Sequence, residues 1–564
     1  MKYFGWIFLF FVLVYIMPLA SRPLASSDEF RYAEIPREMI ASGDYVTPRL
    51  IGMRYFEKTP MCYWLVAGSM KIFGENNFAV RFPMAVAAGI TALFIWIMVQ
   101  QMTRDEKLAA LSSIIFLSFL MVYILGTTAV TDMIFSMFVI GSGGCIFLAV
   151  QEKRFNRRKL LLTLLTGIFV GLGFLTKGFL AFAIPAVTVA VYLCWERRWK
   201  EFLILPVPVL LTAVAVIVPW GIAIHRAQPD FWHYFVVVEH LNRFFGGVEA
   251  QHPEPWYYFI PVLLVGMMPA GLLIPAAGFV GKDVWKGLIK LPMYRYSLCF
   301  LIMPLLLFSC SSGKLPTYIL CCFAPAAILI AAGVRAYFNS GGHHRSYNWT
   351  MSAWGSGLIV AGACLIAVRV FPGLVAPEVL AKLPVSNLFY PVMGCVAVFA
   401  GGLMLYSTMG NWRGRLYLFF FGVGLLMFSF NWFFVGSKKF PEVMFREVVK
   451  QFNINSERTL IYTTGRHMHT IAWICKRTDF KVIEPGENRY GCEAAEKNGE
   501  ESILVPLADL NKSLKDPARA RDIVVIMHEK HGKWKNLPAS NRQLTMYQTT
   551  AKFYPAPLNT RKEW

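Results

Sequence analysis

Read in windows of about 19 residues, this chain holds about thirteen apolar stretches long enough to cross the hydrocarbon of a bilayer, or nearly so with some tilt. They fall near 4–20, 79–101, 108–123, 132–150, 160–175, 179–195, 202–222, 259–280, 296–310, 315–336, 349–372, 388–408 and 416–436. Backbone inside hydrocarbon must satisfy its own hydrogen bonds, so stretches of this length predict helices and a polytopic α-helical membrane protein. Composition agrees: 56% of residues are hydrophobic and 16% charged, against roughly a quarter charged in soluble domains. Phe4 to Ala20, behind Lys2, also has the character of a signal peptide, with Ala20, Ser21 and Ala25 as a cleavage region. A dense charged motif follows at once, and the many later spans make cleavage unnecessary for export.

The formal net charge is +21, and its placement argues against nucleic acid as a partner. Counted from a cytoplasmic N-terminus, alternate connections are basic: Arg104 and Lys107; Lys153, Arg154, Arg157, Arg158 and Lys159; Arg197, Arg198 and Lys200; Lys282, Lys286, Lys290 and Arg295; Arg335 and Arg345; Arg413 and Arg415. The intervening short connections hold one lysine each, Lys177, Lys314 and Lys382. This is the positive-inside pattern, and with an odd number of spans it puts the tail outside the cytoplasm.

Two regions follow: a membrane domain, 1–436, and a soluble extracytoplasmic domain, 437–564. The membrane domain carries two long polar and aromatic outer segments, 21–78 and 223–258, expected to form short amphipathic helices at the interface. The tail alternates plausible strands (459–462, 502–506, 522–527 and 543–549) with polar or helical stretches such as 442–452, which predicts a small α/β domain. Of the 11 cysteines, only Cys475 and Cys492 lie in the tail, where an oxidising compartment would let them pair. His467 and His469 could hold a metal, but two histidines alone read better as surface or packing residues.

The chemistry-bearing residues concentrate in the outer segments. Asp28, Glu29, Arg31, Glu34, Arg37 and Glu38 follow the first span directly, and Arg54, Tyr55, Glu57 and Lys58 form a second acidic and basic group. Basic groups at a lipid interface suit phosphate, while carboxylates suit hydroxyls, a metal or an amine. Asp132 sits where a connection meets a span, a costly position for a carboxylate unless it is partnered or faces water. Lys177 and Lys314 are lone cations that snorkelling explains as well as binding does. His233, His240 and His252 share the second outer segment, and spacing alone does not choose among them as metal ligands.

Several strings carry a specific resemblance: Asp28 to Met39 (DEFRYAEIPREM), Arg54 to Lys58 (RYFEK), Thr176 to Ala181 (TKGFLA), Pro229 to Phe235 (PDFWHYF) followed by Val238-Glu239-His240, Ala250-Gln251-His252, and Gly313 to Leu320 (GKLPTYIL). Over about 1–335 the chain resembles the bacterial aminoarabinose transferases of lipid A. These are membrane glycosyltransferases of C-type fold, in the superfamily that includes protein mannosyltransferases. The resemblance implies that Asp28, with Glu29 beside it, is the acid at the catalytic centre and Asp132 a second catalytic acid. It implies a divalent ion, zinc-like, held by Glu57 and His252. Lys58, Arg31 and Tyr55 would receive the carrier phosphate. Tyr318 would line the cavity, and Lys177, Arg243 and Lys314 complete the implied substrate-binding set.

The implied activity is inverting transfer of 4-amino-4-deoxy-L-arabinose from undecaprenyl phosphate to a phosphate of lipid A, at the outer face of a bacterial inner membrane. One rival is an enzyme of the same fold with another sugar or a protein or glycan acceptor. A transporter or flippase would instead call for matched halves and ionisable groups near the midplane, and a silent scaffold would need none of the acid and base residues.

Overall fold

The computed structural model describes residues 2–242, 253–340, 344–371, 373, 386–409, 412–433, 440–484, 486, 489–528, 537–546 and 549–557. Among these, ten helices are long and apolar enough to span a membrane: Tyr3–Ala20, Asn77–Thr103, Thr131–Gln151, Arg157–Lys177, Trp199–Ala227, Pro292–Ser309, Pro316–Asn339, Arg345–Val370, Phe389–Tyr406 and Gly414–Phe433. The other three expected spans are present in altered form. Leu180–Trp195 is a shorter apolar helix. The stretch expected near 108–123 is split into Glu106–Leu117 and Leu120–Gly126, and that near 259–280 into Phe259–Gly266, Ala270–Leu273 and Ile274–Gly278. The two interruptions face each other: the Leu120 N–H donates to the Met268 carbonyl at 2.6 Å, and Phe119 bridges Pro269. Each break thus satisfies backbone groups that hydrocarbon would leave unpaired.

The first polar segment departs from expectation. Helix α1 (Asp28–Ser42) begins with two carboxylates in its first turn, which favours a helix N-terminus. It ends at Gly43, whose φ of +73° lets its N–H cap the Met39 carbonyl at 3.0 Å. It does not lie as an amphipathic helix with one wet face. Most of it is buried, because its charges are paired internally and it is packed between the bundle and the tail domain. A two-stranded hairpin, β1 (Arg49–Leu50) and β2 (Met53–Arg54), follows, then a 13-residue apolar helix, Met61–Phe73.

The tail is an α/β domain with sheet order β4-β3-β5-β7-β6. Strands β3 (Thr459–Thr463), β4 (Lys481–Val482) and β5 (Asp522–His528) are parallel, and β6 (Arg542–Met546) and β7 (Thr549–Tyr554) add an antiparallel edge. Its helices include Glu442–Phe452, α2 (Met468–Cys475) and α3 (Arg489–Lys497). Residues 502–506, expected as a strand, contribute only a bridge from Leu504 to Val482. The stretch 543–549, expected as one strand, is divided between β6, which ends at Met546, and the antiparallel β7, which begins at Thr549. Cys475 and Cys492 are both buried and free. His467 and His469 are buried in this domain, as the packing reading expects. Buried side chains run without a gap from the bundle into the tail.

Candidate active site

A fully buried ion cluster determines where the acidic end of α1 sits. Glu29 is 0% exposed and accepts from Arg22 at 2.7 Å, from Arg81 at 2.7 and 2.8 Å, and from the Ala25 and Ala129 amides at 2.8 and 2.9 Å. Burial by itself would raise its carboxyl, but the two guanidinium groups outweigh that and hold it well below the usual carboxylate range. Arg81 also caps the Leu19, Arg22 and Pro23 carbonyls, and Arg22 the Thr127 carbonyl. The cluster therefore welds the end of the first span, α1, Asn77–Thr103 and the turn before Thr131. Glu29, expected beside the catalytic acid, has its oxygens filled by the chain and is fully buried. Arg22 and Arg81 were missed in the sequence, although an arginine inside an otherwise apolar span is a legible signal.

Asp28 points the other way. Its side chain is 61% exposed and pairs with Arg31. Arg31 donates to the Tyr55 hydroxyl at 2.9 Å, and Tyr55 donates to Glu57 Oε2 at 2.8 Å. Arg31 also lies over the Tyr32 and Tyr55 rings, 5.6 and 5.9 Å from their centroids. Burial pushes the Tyr55 phenol far up, so it stays protonated as the donor to Glu57. Lys58 is bound to Glu239 at 2.5 Å and to the Glu57 carbonyl at 2.9 Å. Glu239 lies on the π-helical turn Tyr234–Asn242 and was quoted in the sequence only as part of a string. His240 beside it donates from Nδ1 to the Phe235 carbonyl, 2.6 Å away, and burial pushes its pKa down.

Deeper in, Asp132 and Lys177 form an ion pair of 2.6 Å between two span helices. The Lys177 ammonium sits 5.0 Å from the centre of the Tyr318 ring. These three residues, with Phe135, Thr317 and Cys321, line a small cleft. The two groups of charges are within electrostatic reach: Lys58 acts on Asp132, and Glu239 on Lys177. Lys314 does not join them. It is buried and donates to the Ser311 and Glu254 carbonyls at 2.5 and 2.9 Å, pinning the chain after 252 to the turn at 311–314. In this structure it clips the two loops together.

His252 and Arg243 lie outside the described residues. Among the described residues no three histidine, cysteine or carboxylate side chains gather as a metal site. Of the implied metal pair Glu57 is therefore the described member; its Oε2 accepts a hydrogen bond from the Tyr55 hydroxyl and lies 3.9 Å from Arg31.

The architecture matches solved membrane glycosyltransferases of C-type fold. The crystal structure of ArnT from Cupriavidus metallidurans bound to undecaprenyl phosphate superposes with a TM-score of 0.76 at 20% identity, over 97% of this chain and 98% of that one. The profile of the dolichyl-phosphate-mannose-protein mannosyltransferase family matches residues 1–235. The undecaprenyl phosphate-α-4-amino-4-deoxy-L-arabinose arabinosyl transferase of Erwinia tasmaniensis is 34% identical over 92% of both chains. The enzyme of the same name from Aeromonas salmonicida is 33% identical over 97% of this chain and 98% of its own. The chain belongs to the undecaprenyl phosphate-aminoarabinose arabinosyl transferase family.

Proposed function

We propose that this protein transfers 4-amino-4-deoxy-L-arabinose from undecaprenyl phosphate to a phosphate of lipid A. We further infer that it works in a bacterial inner membrane, with its N-terminus cytoplasmic and the tail periplasmic. The family supports the donor, and the charge balance of the site supports a sugar that is itself cationic. Among the described residues three cations, Arg31, Lys58 and Lys177, face four carboxylates, Asp28, Glu57, Glu239 and Asp132. A carrier phosphate arriving alone would deepen that negative excess. One that brings an ammonium group is neutral overall and leaves that excess unchanged.

The acceptor phosphate is already anionic, so a strong general base is less necessary than for an alcohol. The larger task is to hold two anions together and stabilise the departing carrier phosphate. Lys58 and Arg31 do this by releasing Glu239 and Asp28 and turning to phosphate oxygen. Asp28, exposed beside them, faces the sugar and stabilises positive charge developing at its anomeric carbon. Asp132 and Lys177 orient the ring within the cleft. Attack opposite the leaving phosphate inverts the anomeric centre. A divalent ion, zinc by the chemistry of a carboxylate and imidazole pair, would be held by Glu57 and His252 and would add positive charge near the phosphates.

The test is mass spectrometry of lipid A from cells carrying the native protein or Asp28→Asn at equal expression. An aminopentose increment present only with the native protein is the expected result. An unmodified lipid A in both, with a glycan or protein modified instead, overturns the acceptor.

A further inference from the structure

The segments that carry the site meet the tail domain at one small interface. Tyr490, on α3, packs against Tyr234 with ring centres 4.1 Å apart and ring planes tilted by 38°, and it lies 5.7 Å from Phe56. Its hydroxyl donates to Asp230 at 2.9 Å. Phe56 stands between Tyr55 and Glu57, and it also meets Phe231 and Tyr234 edge-on at 5.2 and 6.4 Å. Arg54, at the end of β2, pairs with Glu500 at 2.6 Å and with Asp230 at 3.8 Å. At the next residue of the tail the backbones nearly touch: a Cβ on Gly491 would stand 2.5 Å from the Arg54 carbonyl oxygen.

Three pieces of chain therefore converge: the strand leading into Tyr55, Glu57 and Lys58, the segment leading through Tyr234 to Glu239, and α3 of the tail. Lys58 and Glu239 are 181 residues apart in sequence, yet their charges are 2.5 Å apart. That distance requires both segments to be held, and the aromatic cluster around Phe56 is what joins them on the tail side. Arg54 and Glu500 are a partly exposed pair worth little alone. The close ring contact of Tyr490 with Tyr234 and the close approach at Gly491 make the contact specific.

We propose that the tail domain is a positioning element of the reaction site: Tyr490 and Gly491 hold the Lys58 segment against the Glu239 segment, so that the geometry offered to the carrier phosphate is set from outside the membrane domain. This rests on the transferase reading for its kinetic consequence, but not for its structural one. Tyr490 is a positioning residue, since no contact places it at the reacting groups.

The experiment uses the purified full-length protein and its Tyr490→Ala, Tyr490→Phe and Gly491→Ala variants. Hydrogen–deuterium exchange is followed by mass spectrometry alongside transfer from undecaprenyl phosphate-aminoarabinose to lipid A. Tyr490→Ala and Gly491→Ala are expected to speed exchange in peptides covering 53–58 and 230–242 while the span helices stay unchanged. They should raise KM for the donor by about tenfold with a smaller change in kcat, the signature of lost ground-state binding. Tyr490→Phe keeps the ring contact, loses only the bond to Asp230, and should stay within about threefold of native. Unchanged exchange in both segments overturns the proposal, and so does faster exchange with unchanged kinetics. A native protein that fails to transfer this sugar overturns the transferase reading, while the exchange data still decide the clamp.

Discussion

Replacing Glu29 by glutamine separates a structural carboxylate from a catalytic one. The side chain is 0% exposed, as is Arg81, and Arg22 is nearly so. Glutamine keeps the shape but removes the charge, and it turns one acceptor oxygen into a donor facing guanidinium and amide N–H groups. Two buried arginines then lose their counter-ion. Removing one partner of a buried ion pair costs about 3–5 kcal/mol, a large share of the roughly 5–15 kcal/mol that holds a domain folded. Thermal unfolding of detergent-purified Glu29→Gln should therefore begin well below native, and yield should fall. Double replacement of Glu29 and Arg81 by glutamine and methionine should recover part of the loss, because the pair is then removed together. Linkage adds a check. A carboxyl held far below its unfolded value of about 4.3 contributes its full stability above that pH and loses it only as pH falls further. Native stability from this cluster should thus be flat from pH 5 to 8 and erode below about pH 4. A Glu29→Gln protein that melts with the native one yet transfers no sugar would refute the reasoning and return Glu29 to catalysis.

Other outcomes follow from the same geometry. Lys58→Met removes the cation 2.5 Å from Glu239 and should cut transfer by about a hundredfold, read as kcat/KM, with lost binding of undecaprenyl phosphate in a separate titration. Gly178 has φ +74°, and a Cβ there would stand 2.5 Å from His240 Nε2. Gly178→Ala should cost about 1–3 kcal/mol and shift His240, visible as lower melting temperature and activity together. Burial and the neighbouring Glu34 push Glu38 up to about 8, despite amide bonds from Ile51 and Gly52. A raised carboxyl makes the folded state lose stability as pH climbs from its unfolded value of about 4.3 towards 8, so the stability gap between native and Glu38→Gln should narrow over that range in melts at stepped pH. Prolonged chelation should lower native turnover and zinc restore it, with Glu57→Gln insensitive to both; equal loss in both proteins would count against an ion at Glu57.

The membrane class and the order of segments were legible because bilayer thickness turns apolar length directly into a helix, whatever its neighbours. That holds for the ten long spans, and it finds even the interrupted stretches at 106–126 and 259–278. It cannot show that those two are broken, since the break is satisfied by a partner about 150 residues away. Strands β3 and β5 were legible by their apolar runs, while the two-residue β4 and the division of the last stretch into antiparallel β6 and β7 depend on pairing that only the assembled sheet supplies. Asp28, Arg31, Tyr55, Glu57 and Lys58 could be singled out from local strings, but sequence could not tell Asp28 from Glu29. Adjacent carboxylates on a helix point about 100° apart, and only the packing of Arg22 and Arg81 against one of them decides which is sealed into the scaffold and which faces the site. The same holds for Lys58 and Glu239, Lys177 and Asp132, and Tyr490 over Tyr234. Composition along the chain determines that these groups exist at the membrane surface. Tertiary structure alone decides their pairing, because the distance between charges far apart in sequence is a property of the packed fold.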